Sequence, residues 1–337
     1  MPISIRRFTV LALIFSFVSG AQAAYPFRLH QNYETGDGYM RVRLLGTVEI
    51  PYEMIKEFDV VELSGLAWDD DDEVLYAISD HGFLFDLQPE FKDGILTDVE
   101  ITDVFALTSS DGERLDGQAA DAEGLSIVKG RNGKKGDAEL LISFERVPRI
   151  NRYSARGNFL QRHDLPTAVQ RAYHGTNSGF ESVTFLESVG ILSAPQYPIG
   201  DPHGKEHVIY DLNGKTWSFL RFDAPSSSLV AIEVMPDGSL ITMERSYISW
   251  WQPLQIVLRQ SKPLTSARNG ALEMREIVVF NSFEGWRMDN FEGLARHREN
   301  YFFLISDDNE NNLQRTLLMY LEIVERPFDN NPSLSKK

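Results

Sequence analysis

Apolar residues in this chain fall in short runs separated by Gly, Asn and Asp, and no stretch keeps the period of a long amphipathic helix. Five pairs of runs share one plan: an apolar strand opened by a small or acidic residue, a turn, then a second apolar strand with a polar end. They are Ser64–Trp68 with Leu75–His81, Glu123–Ile127 with Leu140–Arg146, Glu181–Phe185 with Ile191–Gln196, Glu233–Met235 with Leu240–Arg245, and Glu292–Ala295 with Tyr301–Asp308. Their openings lie 59, 58, 52 and 59 residues apart. Two more strand-like runs precede the next opening, as at Phe83–Leu87 and Ile95–Leu107 or Val208–Leu212 and Thr216–Phe222. Four short strands per unit at nearly constant spacing predict an all-β fold, a β-propeller of four-stranded blades; a β-sandwich requires no recurring unit.

The fifth unit supplies three strands, ending at Thr316–Val324. The N-terminal run Met40–Ile50, in which Val42 and Leu44 alternate with Arg41 and Arg43, is the expected fourth. It closes a ring of five blades and removes a free sheet edge. A sixth, divergent blade within residues 25–60 is the alternative. The expected organisation is a leader at 1–23, an N-terminal segment with the closing strand at 24–59, the propeller at 60–325 and a polar tail at 326–337.

Arg6 and Arg7, the apolar run Val10–Val18 and Ala21-Gln22-Ala23 have the three parts of a secretory signal, with cleavage expected after Ala23 and the mature chain in the periplasm or secreted. The paired arginines also fit twin-arginine export, although Phe8-Thr9-Val10 departs from that pattern. No stretch reaches the roughly 20 apolar residues of a membrane-spanning helix. The 49 acidic and 33 basic residues give a formal charge of −16, or −18 once the leader is removed, which disfavours nucleic acid and anionic membrane surfaces. A small-molecule partner and a monomer are expected. With no cysteine, any metal ligand is oxygen or imidazole.

In a blade the start of the innermost strand and the end of the second lie on one face. That rule gathers Glu123, Glu181, Glu233 and Glu292, with Ser64 in the corresponding place of the first blade, at one mouth of the central channel. The same face receives Asp80-His81, Glu145-Arg146, Gln196, Glu244-Arg245 and Asp307-Asp308, and the connections 108–122, 166–180 and 281–290. Carboxylates this close cannot all stay ionised without compensation. A hard cation such as calcium, pairing with Arg146 and Arg245, or protonation of some carboxyls would each supply it.

Other features carry less. The acidic run Asp69–Glu73 falls in a hairpin on the opposite face and reads as a solvated turn. His203-Gly204-Lys205-Glu206-His207 has the spacing of a zinc motif, which needs a helix, yet Pro202 and Gly204 precede a strand. Trp68 and Trp217 read as blade packing, whereas Trp250, Trp251 and Trp286 lie in connections where exposure is expected. Tyr173 and His174 fall on the site face without a specific pattern.

At the Ser-Gly-Leu and Glu-Gly-Leu openings, at Ile78-Ser79-Asp80-His81-Gly82 and Phe144-Glu145-Arg146, and at Ile305-Ser306-Asp307-Asp308-Asn309, the sequence resembles the phytase-like domain family, also described as esterase-like activity of phytase. The resemblance covers roughly residues 60–325 and implies an exported bacterial propeller that hydrolyses phosphate or carboxylate esters. The Arg-His-Gly signature of histidine acid phosphatases is absent. The expectation is a metal-dependent hydrolase of a phosphoester or related ester, with calcium as the cation. Glu123, Glu233, Glu292, Asp80 and Asp307 are the expected metal ligands, and Glu181, Arg146, Arg245 and His81 the expected catalytic groups. A non-catalytic binding propeller and a lactonase-like calcium propeller are the alternatives.

Overall fold

The structure is a computed structural model that describes residues 24–326 apart from 53, 56, 57, 60, 61, 174–178, 199, 201, 202, 250, 310 and 312. The expected leader, His174, Pro202, Trp250 and most of the polar tail therefore lie outside the described residues. Five antiparallel sheets form a five-bladed ring. Blade one runs through Leu63–Asp69, Val74–Ser79, Phe83–Lys92 and Ile95–Ala106, and blade two through Ala122–Val128, Glu139–Phe144, Arg149–Ser154 and Phe159–His163. Blade three uses Ser182–Leu186, Gly190–Ala194, Glu206–Asp211 and Thr216–Leu220; blade four uses Ser228–Val234, Leu240–Ser246, Gln255–Ser261 and Met274–Asn281.

Blade five takes Asn290–Arg298, Tyr301–Asp307 and Thr316–Ile323 from the end of the chain and Val42–Ile50 from its start. Ile50 pairs with Thr316 and Val42 with Ile323, so this strand closes the ring as its alternation predicts. Among the described residues the N-terminal segment otherwise adds only short strands, among them Tyr25–Pro26 on the outer edge, and forms no sixth blade.

Each inner strand lies against the inner strands of its two neighbouring blades around the ring. Five buried clusters fill the junctions: Ile78 and Leu84 meet Leu125 and Ile142 between blades one and two, and Leu192 and Trp217 meet Leu229 and Leu240 between three and four. Each such Leu or Phe removed from water contributes about 1.5–3 kcal/mol, so the sheets hold together through their faces.

The recurrent glycine after the strand opening has a steric reason. A Cβ on Gly65 would sit 2.8 Å from Glu123 O, and one on Gly124 would sit 2.8 Å from Glu181 O. Only glycine lets adjacent inner strands approach that closely around the channel.

Trp217 and Trp68 are buried between blades as expected, but so is Trp286, packed with Tyr33, Tyr39 and Phe280; of the described tryptophans in connections, Trp251 alone is exposed. The acidic run does more than meet water. Asp71 accepts from the backbone N–H groups of Asn132 and Gly133 and Asp72 from that of Gly136, which anchors the hairpin turn of blade two. His207 is buried on a strand with Nε2 3.1 Å from Glu244, and the clusters able to hold a metal among the described residues include neither it nor His203.

Candidate functional site

A β-bulge sits at the opening of the inner strand in four blades. The register slips between Leu63 and Gly65, Ala122 and Gly124, Leu229 and Ala231, and Phe291 and Gly293. The bulged residue is left out of the ladder and its side chain is re-aimed. In three blades that residue is Ser64, Glu123 or Glu292, each of which lines a cavity of about 550 Å³ at the channel mouth. Glu181, just before the inner strand of blade three, joins them.

In blade four the bulged residue is Val230, not Glu233. Glu233 pairs with Ile241 near the far end of the same strand, beside Arg131 and Arg296, and does not line the cavity. It is thus not a ligand of this mouth. Burial pushes its carboxyl up to about 7, with the two guanidinium groups opposing the rise.

The second strands deliver Asp80, Glu145, Arg146, Gln196, Arg245 and Asp307 to the cavity. Glu244 turns away into a buried network with His207, Arg259 and the backbone N–H of Phe222, the last at 2.7 Å. Asp308 also leaves the mouth, accepting from Thr316 Oγ1 at 3.0 Å. His81 stands half-exposed at the rim, where its Nε2 contacts Glu62 and lies 3.7 Å from Asp80 Oδ1. Tyr173 is buried, its hydroxyl donating to the carbonyl of Tyr197, which lines the cavity.

Two carboxylates at the mouth went unforeseen: Glu62 and Asp121. Each lies two positions before a bulged residue, and Ser228 and Asn290 hold the same offset before Val230 and Glu292. An acidic or polar residue at that offset before a strand opening was the signal.

Among the described residues the lining therefore holds eight carboxylates and two guanidinium groups. Arg146 Nε lies 3.2 Å from Asp121, and Arg245 contacts both Glu292 and Asn290 Oδ1. Asn290 donates to Glu292 and to Asp307, each at 3.1 Å. The remaining charge has no basic counterpart in the lining. Burial, followed by the charges of Glu181, Glu292 and Glu145, lifts Glu123 well above the usual carboxylate range. Burial and then Glu145 and Glu292 do the same to Glu181.

Asp80 is pushed up to about 9 by burial, a hydrogen bond with Glu62 and the charges of Glu62, Asp307 and Asp121. Burial and Glu292 push Asp307 up to about 8. For Arg245, burial acts to lower the pKa but Glu292 and Glu181 outweigh it, so it stays cationic.

Two groups are spaced to hold an ion, Glu62 with Asp80 and His81, and Asp121 with Glu123 and Glu145; within each, the ligand atoms lie within 4.8 Å of one another. Asp80 Oδ1 is buried without a hydrogen-bond partner, a lone pair suited to a cation. A donor set of carboxylate oxygens suits a hard ion that takes 6–8 oxygen ligands.

No helix among the described residues is long and apolar enough to cross a membrane. No curated protein matches the chain. Among solved structures, the PQQ-bound aldose sugar dehydrogenase of Streptomyces coelicolor is 10% identical, with 86% of this chain and 99% of that one covered at a TM-score of 0.43. The Dos1 propeller is 9% identical, with 88% and 81% covered at 0.38. Likeness at that level says nothing of ligand or reaction. A family model described as "Phytase-like: Esterase-like activity of phytase" matches residues 59–310, most of the length, and the chain belongs to that family.

Proposed function

We propose that the protein is an exported hydrolase whose channel mouth holds a divalent cation, calcium being the ion that suits its oxygen ligands, and cleaves a phosphoester or related ester there. The observation that carries this reading is the gathering of eight carboxylates against two guanidinium groups in one cavity. Protons or a cation must make up the difference. Family membership supports ester hydrolysis, and the leader-like start of the sequence supports export.

A bound cation would supply the charge that polarises an ester oxygen and acidifies a bound water. Glu62, Asp80, Glu123 and Asp307 supply oxygens for it. Glu181, its proton held by burial and by Glu145, is placed to give or take a proton at the substrate. Arg146 reaches the cavity beside Asp121 and offers a guanidinium to developing negative charge. Arg245 instead holds Glu292 and Asn290 in place.

The experiment is calcium titration into chelator-treated mature protein by calorimetry, followed by ester hydrolysis with and without calcium. Replacing Glu181 and Glu292 by Gln should abolish metal-dependent turnover; retention of both ion binding and hydrolysis sinks the assignment. One observation favours a second, non-catalytic reading: Arg146–Asp121 ties the two inner strands of blade two together and Arg245–Glu292 ties blade four to blade five, in the manner of a structural lock. Reproducible metal-dependent turnover removes that reading.

A further inference from the structure

The walls of the mouth differ in kind from its floor. Tyr247 lines the cavity beside Arg245, and the connection it opens, residues 247–254, carries Ile248 and Trp251 at the same end of the propeller. This connection is tied to the next one: Leu254 N donates to Ser282 Oγ and Ser282 N donates to Leu254 O, both at 3.0 Å. Phe283 follows directly. Tyr247, Ile248, Trp251 and Phe283 are 53%, 50%, 62% and 65% exposed, whereas the other phenylalanines and tryptophans among the described residues are largely buried. An exposed apolar patch continuous with a polar cavity marks a place where a ligand rests.

The floor narrows the chemistry further. A phosphomonoester brings close to two negative charges at neutral pH. Even with one divalent ion bound, it would meet a lining in which acids outnumber arginines eight to two and both arginines already face a carboxylate. An uncharged ester meets no such repulsion.

We propose that the substrate is an uncharged carboxylic ester whose apolar acyl chain lies on Tyr247, Ile248, Trp251 and Phe283 while its carbonyl sits over the carboxylate floor. This rests on reading the mouth as a hydrolase site. In the reaction the oxygen of water bonds to the carbonyl carbon, the bond from that carbon to the alcohol oxygen breaks, and the proton lost by water ends on the departing alcohol. No oxidant or reductant is needed.

The test is the calcium-loaded full-length mature chain with p-nitrophenyl acetate, butyrate and octanoate and with p-nitrophenyl phosphate. A methylene laid on one apolar surface gains about half of full burial, so kcat/KM should rise about twofold per methylene, some tens-fold from acetate to octanoate. Trp251→Ala combined with Phe283→Ala should flatten the series. Leu160→Ala, which removes an exposed apolar residue of an outer strand in blade two, should keep the octanoate-to-acetate ratio. A flat series in the wild type, an unchanged ratio in the double variant, or faster turnover of the phosphate overturns the substrate class and leaves the hydrolase standing. Turnover of none of the four by calcium-loaded protein removes the hydrolase reading itself, and the substrate class with it.

Discussion

Calcium binding should be strongly pH-dependent and should expel protons. Asp80 and Asp307, pushed up to about 9 and about 8, both carry a proton at pH 7. An ion that takes either as a ligand must displace it. Each pH unit below a ligand's pKa costs about tenfold in apparent affinity, so Asp80 alone weakens binding at pH 7 by about a hundredfold and both together by about a thousandfold, some 4 kcal/mol. The assay is calorimetric titration of chelator-stripped protein at pH 6, 7, 8 and 9, each in two buffers of different ionisation enthalpy. One to two protons released per ion at pH 7, with affinity rising towards pH 9, is the expected result. Equal affinity from pH 6 to 9 with heats independent of buffer would refute the reasoning, because the carboxylates would then be ionised before the ion arrives.

The same groups set the stability of the stripped protein. Their folded pKa values lie above the ordinary carboxylate value near 4, so between about pH 4 and 9 the native state holds more protons than the unfolded chain. Stability then falls as pH rises through that window. The thermal midpoint of stripped protein should be higher at pH 5 than at pH 8.5, and calcium should recover most of the difference at the higher pH.

Three substitutions probe the architecture. Arg245→Met leaves Glu292 without its guanidinium and should cost about 3–5 kcal/mol in chemical denaturation at pH 7; an unchanged denaturation midpoint contradicts the account. Glu244→Gln removes the charged partner of Arg259 and His207 in a largely buried network and should cost a similar ~3–5 kcal/mol, yet leave calcium stoichiometry unchanged, since the network lies off the cavity. Gly124→Ala puts a Cβ 2.4 Å from Ser143 Oγ and 2.8 Å from Glu181 O; forcing the inner strands apart should cost about 1–3 kcal/mol and weaken calcium binding, both measurable by denaturation and calorimetry.

The blade count, the ring closure and most of the mouth could be read from the chain because each rests on a local pattern. Alternation at Val42 and Leu44 marks the run as a strand, though Leu45 and Val48 bury its other face as well, and a Gly after the opening marks inner strands in close approach. Blade four breaks the pattern for a physical reason. Leu229-Val230-Ala231-Ile232 is apolar throughout, so nothing in its composition marks the bulge, and the first acidic residue after it, Glu233, stands in for an opening it does not make. The true register is held by a weaker period. Glu62 and Ser64, Asp121 and Glu123, Asn290 and Glu292 are polar pairs two residues apart, and only Ser228 with Val230 gives blade four the same spacing. That pairing also explains the gap in the acidic ring. Where blade four offers Val230 instead of a carboxylate, Arg245 enters the cavity from its second strand and pairs with Glu292 of blade five, so that blade contributes a cation to the ring where the others contribute acids or a serine.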